Sequence, residues 1–216
     1  MNTYHKINSI YKRDMKGNKL IEGAYSIPEF KYLKSNQWVW TEKINGTNIR
    51  IQWLTDPLIS EVIIKGKTDK AEIPTFLLTK LQATFAKEKM LKVFGIGEEK
   101  PDICLYGEGY GARIQKGGGN YIKDNVDFIL FDIKIGHWWL KREDIEKIAK
   151  QLNIKIVPIV GYGTLEEAVG LIKSKTLKSQ LGNEDFLAEG IVIRPKIELK
   201  CRNGQRIIAK IKHKDF

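Results

Sequence analysis

The segment Trp38-Val39-Trp40-Thr41-Glu42-Lys43-Ile44, Asn45-Gly46, Thr47-Asn48-Ile49-Arg50-Ile51-Gln52-Trp53 sets two runs rich in β-branched and aromatic residues on either side of one dipeptide. Asn-Gly tolerates the positive φ angles of a tight turn, so the spacing predicts a β-hairpin. In the second arm Ile49, Ile51 and Trp53 fall on one face, and Asn48, Arg50 and Gln52 fall on the other. That period of two marks a strand with one face in a core.

Outward from this segment, Glu61 to Lys65 reads as a strand, followed by a helix from about Pro74 to Phe94 with Leu77, Leu78, Leu81 and Phe85 on one stripe. Asp127 to Ile135 reads as a buried strand. Lys141 to Leu152 and Leu165 to Lys175 have helical periodicity and flank an apolar strand, Ile154 to Val160. Glu189 to Arg194 and Gln205 to Lys212 are again strands, the latter entered from Ile197 to Arg202 through a second Asn-Gly turn, Asn203-Gly204. The expected fold is a mixed α+β domain with mostly antiparallel sheet. No repeat, low-complexity stretch or Pro/Gly/Ser linker divides the chain, so one compact domain over residues 1–216 is expected.

The 216 residues carry 37 Lys+Arg against 26 Asp+Glu, a net charge of +11, with 42% apolar residues. A chain of this length buries enough surface to fold without disulfide or metal staples. Cys104 and Cys201 stand alone, without a CxxC pair or a His at ligand spacing, which argues against a zinc site or a secreted disulfide framework. No apolar run approaches the roughly 18 residues of a membrane span, and Met1 to Arg13 lacks a secretory signal. A soluble protein of the reducing cytoplasm is expected. From Arg194 to Phe216 there are eight Lys/Arg and two acidic residues, +6 of the +11, a clustering that suits either a polyanionic partner or a solubilising surface.

Several charges sit inside apolar strand patterns, where burial is costly unless a partner or ligand compensates. Lys43 adjoins the Asn45-Gly46 turn, Glu189 opens Glu189-Gly190-Ile191-Val192-Ile193-Arg194, and Lys210 and Lys212 lie in Ile208-Ala209-Lys210-Ile211-Lys212. With a period of two, Lys210 and Lys212 share one face, where two ammonium groups suit a polyphosphate or form an ordinary exposed strand face. Taken singly, Phe131 reads as core or as a base platform, and Glu108, among glycines, as a turn residue or a ligand group.

In order, Lys43-x-x-Gly46, Leu105-Tyr106-Gly107-Glu108-Gly109-Tyr110-Gly111, Phe128-Ile129-Leu130-Phe131-Asp132-Ile133, Glu189-Gly190-Ile191-Val192 and Lys210-Ile211-Lys212 resemble the motif series of the covalent nucleotidyltransferases. That superfamily comprises RNA ligases, DNA ligases and mRNA capping enzymes. Lys43-Ile44-Asn45-Gly46-Thr47-Asn48 and Gly66-Lys67-Thr68-Asp69 most resemble the phage-type, ATP-dependent RNA ligases. The resemblance spans about Trp40 to Lys212 and implies an ATP-grasp-like nucleotidyltransferase domain. It implies that Lys43 attacks the α-phosphate of ATP, expelling pyrophosphate and forming a lysyl-AMP. A free lysine, with a pKa near ~10.4, is protonated at neutral pH and cannot attack, so Lys210, Lys212, Lys67 and a metal ion are expected to favour the neutral amine.

The same resemblance gives Glu108 the ribose hydroxyls, Phe131 the adenine face, and Glu189 a divalent metal, Mg²⁺ or Mn²⁺. Asn48 would contact the nucleotide or a metal-bound water, and Glu42 and Ile44 the adenine edge, in part through their backbone. Lys67 stands where phage-type enzymes usually carry an arginine, with loss of a bidentate phosphate fork. The implied partner is RNA with 5′-phosphate and 3′-hydroxyl ends, acted on by a monomer, in the host cytoplasm if the chain is phage-encoded, and without a membrane. The chain stops four residues after Lys212, so no separate C-terminal substrate-binding domain is expected, and a partner protein supplying that function stays open. Open too are a DNA ligase, a capping guanylyltransferase and a non-catalytic nucleic-acid-binding module.

Other motifs fit less well. Gly66-Lys67-Thr68 resembles the end of a P-loop, but Glu61 occupies the place of its first glycine. Gly107-x-Gly109-x-x-Ala112 matches a loose dinucleotide fingerprint, yet Gly117-Gly118-Gly119 follows instead of a helix. His5, His137 and His213 are too scattered for a metal set, and Trp138-Trp139 is most simply a packing anchor.

Overall fold

A computed structural model describes residues 3–55, 60–95, 101–182 and 185–216. Among them the strands are β1 (Asn8–Ser9), β2 (Tyr11–Arg13), β3 (Leu20–Tyr25), β4 (Trp38–Lys43), β5 (Thr47–Leu54), β6 (Glu61–Lys65), β7 (Ile103–Gly111), β8 (Val126–Ile135), β9 (Trp138–Trp139), β10 (Lys155–Ile156), β11 (Ile159–Gly163), β12 (Gly190–Pro195) and β13 (Ala209–Lys212). The α-helices are α1 (Pro28–Tyr32), α2 (Thr75–Thr84), α3 (Lys87–Phe94), α4 (Arg142–Leu152) and α5 (Leu165–Lys173). None of these helices is long and apolar enough to cross a membrane.

The chain forms two compact units: Met1–Tyr4 with Asn45–Val157, and His5–Ile44 with Pro158–Phe216. No linker composition marks the division: the chain passes from one to the other at Tyr4-His5 and in the short connections between strands at Ile44-Asn45 and Val157-Pro158. The first unit holds a sheet in the order β10-β8-β7-β5-β6 with β9 on β8, antiparallel except for the β10–β8 pair. One face of that sheet buries Ile49, Ile51, Trp53, Leu105, Phe128, Leu130 and Ile133 against Leu77, Leu81, Ile145 and Leu152 of the helices. The second unit holds the order β1-β13-β12-β4-β11, parallel only at β1–β13, with Trp38, Trp40, Ile191, Ile193 and Ile211 packed on α5. A capping box of Thr164 and Glu167 starts α5, satisfying two backbone donors at once. The expected mixed α+β architecture with mostly antiparallel sheet is therefore the one found.

The expected hairpin at Asn45-Gly46 does not form. β4 lies between β12 and β11, and β5 between β7 and β6, so each run has two ladder neighbours and neither is the other. A lone hairpin is marginal in water, and a central place in a wide sheet satisfies more backbone groups and buries more side chain. Neither Asn45 nor Gly46 has a positive φ. Gly46 is needed for close approach instead: a Cβ there would collide with the Gly109 carbonyl and lie 2.7 Å from Cγ of Glu108.

Three other elements differ from expectation. The helix expected over Pro74 to Phe94 breaks at Phe85-Ala86, where Ala86 turns to extended ψ and starts α3. The break sends the Phe85 ring into the core, edge-on to Phe128 with centroids 5.1 Å apart. Burying such a ring is worth about 2–3 kcal/mol, more than the ~1 kcal/mol net of a helix hydrogen bond. The strand expected over Ile154 to Val160 splits at Val157-Pro158, because proline cannot donate to a ladder. Of the hairpin expected over Ile197 to Lys212, only Ala209–Lys212 is strand. Gly204 takes the positive φ its turn requires, +82°, but the arms meet at the single bridge Lys200–Arg206.

Gly46→Ala should destabilise the protein by about 1–3 kcal/mol through overpacking, read as a lower urea midpoint at unchanged slope; an unchanged midpoint would remove the close approach as the reason for this glycine.

Candidate active site

In the second unit β12 runs antiparallel between β4 and β13, and Gly190 is the Cα partner of both Lys43 and Lys212. Residues directly opposite in a sheet share a face, so the two lysines flank the bare Cα of Gly190. Gly190 has φ +155°, and a Cβ there would collide with the Ile211 carbonyl and sit 2.7 Å from Cα of Lys212. The preceding carboxylate reaches between the two ammonium groups: Lys43 Nζ donates to Glu189 Oε2 at 2.7 Å and Lys212 Nζ to Oε1 at 2.6 Å. All three side chains are mostly buried, at 22%, 16% and 17% exposure for Lys43, Glu189 and Lys212. Burial by itself pushes the pKa of Glu189 up, but the charges and hydrogen bonds of Lys43 and Lys212 outweigh it and hold the carboxyl below its ordinary range. Lys210 lies two residues before Lys212 on the same face, opposite Val192, while Ala209 and Ile211 are fully buried on the other.

Glu42 and Ile44 do not join this cluster. Alternation puts Glu42 on the core face of β4 with Trp38 and Trp40, opposite Lys43, and it is 1% exposed. Its Oε1 accepts from Ser179 Oγ at 2.5 Å and its Oε2 from the Gln180 N–H at 2.9 Å. Burial pushes its pKa up, and these two bonds only partly offset the effect. Its own N–H donates to Pro158. The side chain expected at an adenine edge is thus a clamp on residues 179–180. Ile44 is 3% exposed, and its carbonyl accepts a long, 3.4 Å hydrogen bond from Lys43 Nζ.

The ribose and base residues named from the sequence belong to the first unit, on the sheet face opposite its core. Asn48 and Glu108 are Cα partners on β5 and β7, and Glu108 is the only residue of β7 that is not buried. Asn48 Oδ1 is buried without a hydrogen-bond partner among the described residues, an acceptor that a nucleotide hydroxyl or a metal-bound water would satisfy. Opposite β7 the register jumps from Tyr106–Asp132 to Gly107–Leu130, so Phe131 is the extra residue of a β-bulge. Bulges re-aim side chains beside functional sites, and Phe131 leaves the otherwise buried run Phe128–Ile133 for a half-buried position. Its ring packs edge-on to Tyr4, centroids 5.1 Å apart, and the Tyr4 hydroxyl donates to Asp132 at 2.8 Å. Trp139 is the packing anchor expected of the Trp pair, against Tyr4 and Tyr106, whereas Trp138 is 78% exposed. Lys67 is exposed in the turn after β6.

Sequence reasoning missed the Tyr4–Asp132 bond, whose partners lie 128 residues apart and leave no local signal. It also missed the clamp of Glu42 on Ser179 and Gln180. Arg50 had been visible on the polar face of β5, but not its partners. The residues present suit a hard cation: Glu189 is an oxygen donor held ionised, and among the described residues no cluster of three or more His, Cys, Asp or Glu offers an all-protein cage.

A family model for RNA ligase matches residues 36–212. Among solved structures, an RNA ligase of Naegleria gruberi bound to pyrophosphate is 18% identical with a TM-score of 0.63, over 98% of this chain and 62% of that one. A variant of it with ATP and manganese is 21% identical with a TM-score of 0.62, over 86% of this chain and 52% of that one. At these identities the likeness is one of fold, and this chain spans between half and two thirds of the length of the proteins it matches.

A carboxyl whose folded pKa is lowered contributes stability above its unfolded value, near ~4.3, and loses it as pH falls through the folded value. Glu189→Gln should therefore cost about 1–3 kcal/mol at pH 7, by leaving two lysines uncompensated, and progressively less below pH ~4. Urea unfolding of both proteins across that range checks it; a pH-independent difference would contradict the ion triad.

Proposed function

Because the chain belongs to the RNA ligase family, we propose that it is an ATP-dependent RNA ligase joining 5′-phosphate and 3′-hydroxyl RNA ends through a lysyl-AMP on Lys43. The observation that carries this reading is the lysine pair held on one carboxylate, Lys43–Glu189–Lys212, on a strand face that also bears Lys210. The complexes of the Naegleria ligase with ATP and manganese, and with pyrophosphate, match the substrate and the leaving group of the first step.

In that step the Lys43 nitrogen forms a P–N bond to the α-phosphorus while the bond to the β-phosphate oxygen breaks and pyrophosphate leaves. The nitrogen must first lose a proton and its hydrogen bond to Glu189. Glu189, held at low pKa, is a weak base, so it orients the amine and the proton passes to water. Lys212 and Lys210 would stabilise the charge growing on the phosphate oxygens. Glu189 would hold Mg²⁺ or Mn²⁺ together with the phosphates, and the bound ion would supply Lewis-acid polarisation of the α-phosphate. AMP then moves from Lys43 to the RNA 5′-phosphate: the P–N bond breaks and a 5′–5′ pyrophosphate bridge forms. A 3′-hydroxyl oxygen finally attacks the 5′-phosphorus, making the phosphodiester and releasing AMP. Glu108 would accept hydrogen bonds from the ribose diol and Phe131 would stack on the base.

Incubation with ATP labelled at the α-phosphate, followed by a denaturing gel, tests the chemistry. Label should appear on the wild type and be absent from Lys43→Ala; an undiminished adduct in that variant would place the nucleophile elsewhere. Phe131→Ala should keep the adduct but raise the ATP needed for half-labelling by about 5- to 150-fold, the loss of about 1–3 kcal/mol of stacking. Label from GTP alone would indicate capping chemistry, and preferential sealing of nicked DNA a DNA ligase.

A further inference from the structure

β13 carries Lys210 and Lys212, and its outer edge is only partly paired. Among the described residues β1 meets it at Asn8–Ala209 and Ser9–Lys210, and the Ile10 N–H donates to the Lys210 carbonyl at 3.3 Å. The ladder on that side stops there, before Lys212. On the inner side Lys212 faces Gly190, which has no side chain to pack against its stem. Past Lys212 the chain enters a single 3₁₀ turn, His213–Asp215, where the His213 N–H donates to the Glu189 carbonyl at 3.1 Å. That turn is held from outside by an ion pair between residues 202 apart, in which Arg13 Nη2 donates to Asp215 Oδ1 at 2.7 Å. The Asp215 side chain is 3% exposed, and its other oxygen is buried with no hydrogen-bond partner among the described residues, so compensation of its charge falls to Arg13. Arg13 is braced in turn: its Nη1 donates to the Asn18 carbonyl at 2.9 Å and its Nη2 to Ser9 Oγ at 3.4 Å.

We propose that Arg13 and Asp215 are positioning residues for Lys212: their ion pair closes the outer edge of β13 beyond the reach of β1 and keeps the Lys212 ammonium on Glu189, where a nucleotide phosphate would meet it. A lysine is a point charge on a flexible stem, and ordering it costs side-chain entropy that a backbone fixed on both edges reduces. β12 fixes one edge. The ion pair fixes the other, through Asp215, three residues after Lys212. An arginine suits the task because its fork grips β1, the turn between β2 and β3, and Asp215 at once, which a single ammonium on a flexible stem does less well. Phe216 packs against the core of the second unit, with Lys173 Nζ 5.8 Å from its ring centre, so the turn stays attached when the pair is removed and only its direction is lost. The role toward phosphate rests on the ligase reading; the hold on Lys212 does not.

Two measurements on the full chain test this. The first is a urea-unfolding cycle of Arg13→Gln, Lys212→Met and the double variant. Distant, independent sites multiply their effects on the unfolding constant, whereas coupled ones do not. If the ion pair holds Lys212 on Glu189, the double variant should fall short of the product of the single effects by about tenfold; simple multiplication would leave a merely structural pair and overturn the proposal. The second is the rate of labelling by ATP carrying label at the α-phosphate. Arg13→Gln and Asp215→Asn should each lower the maximal rate about tenfold, with the ATP needed for half-maximal rate within threefold of the wild type, and the double variant of these two should be no slower than either. A coupled unfolding cycle with labelling rates within twofold of the wild type would also overturn the proposal, since Lys212 would then not need its position. If the cycle is coupled but the wild type acquires no label, the ligase reading fails and the hold on Lys212 stands.

Discussion

The arrangement of the second unit depends on one carboxylate between two ammonium groups. Glu189 meets Lys43 and Lys212 with one oxygen each, and it can do so because Gly190, opposite both lysines, has no side chain in the way. Three mostly buried charges would be costly singly; paired, each offsets the desolvation of the others, and a surplus of one positive charge remains. That surplus, with Lys210 on the same face, is what a triphosphate would meet in the proposed reaction. On the proposed reading, the same carboxylate that stabilises the free protein occupies the amine that would react, so substrate and cation binding would compete with a native ion pair.

Buried charge is used a second way, to hold loops. Glu42 fastens Ser179 and Gln180, and Arg50 fastens Gly66 and Asp69. In both cases a strand residue of fixed direction reaches a segment without regular structure and satisfies backbone groups there. The two differ in their partners. Glu42, bonded to neutral donors in an apolar setting, is pushed toward the protonated form, whereas the Arg50 guanidinium is matched by the Asp69 carboxylate.

Phe131 shows how a change of register re-aims a side chain. A strict ladder between β7 and β8 would give Phe131 and Asp132 to opposite faces in simple alternation. The bulge releases Phe131 from its pairing partner and leaves its ring half-buried beside Tyr4, while Asp132 is wholly buried under the Tyr4 hydroxyl. The aromatic ring is thereby held from the side by a residue distant in sequence.

What the sequence alone determined was whatever covalent geometry repeats locally. The period of two in β5 separated Ile49, Ile51 and Trp53 from Asn48, Arg50 and Gln52, and in β13 placed Lys210 with Lys212, because successive Cβ atoms point to opposite sides of a strand. The order of charged motifs was legible for the same reason: it is a property of the chain. Tertiary structure decided the pairing. Asn45-Gly46 joined strands of different sheets, Phe85 left its helix for the core, and Glu42 turned away from its neighbour Lys43. Lys43 found Glu189 across 146 residues, and Tyr4 found Asp132 across 128. Those choices follow from burial and hydrogen bonding summed over the whole sheet, and no local pattern of residues encodes such a sum.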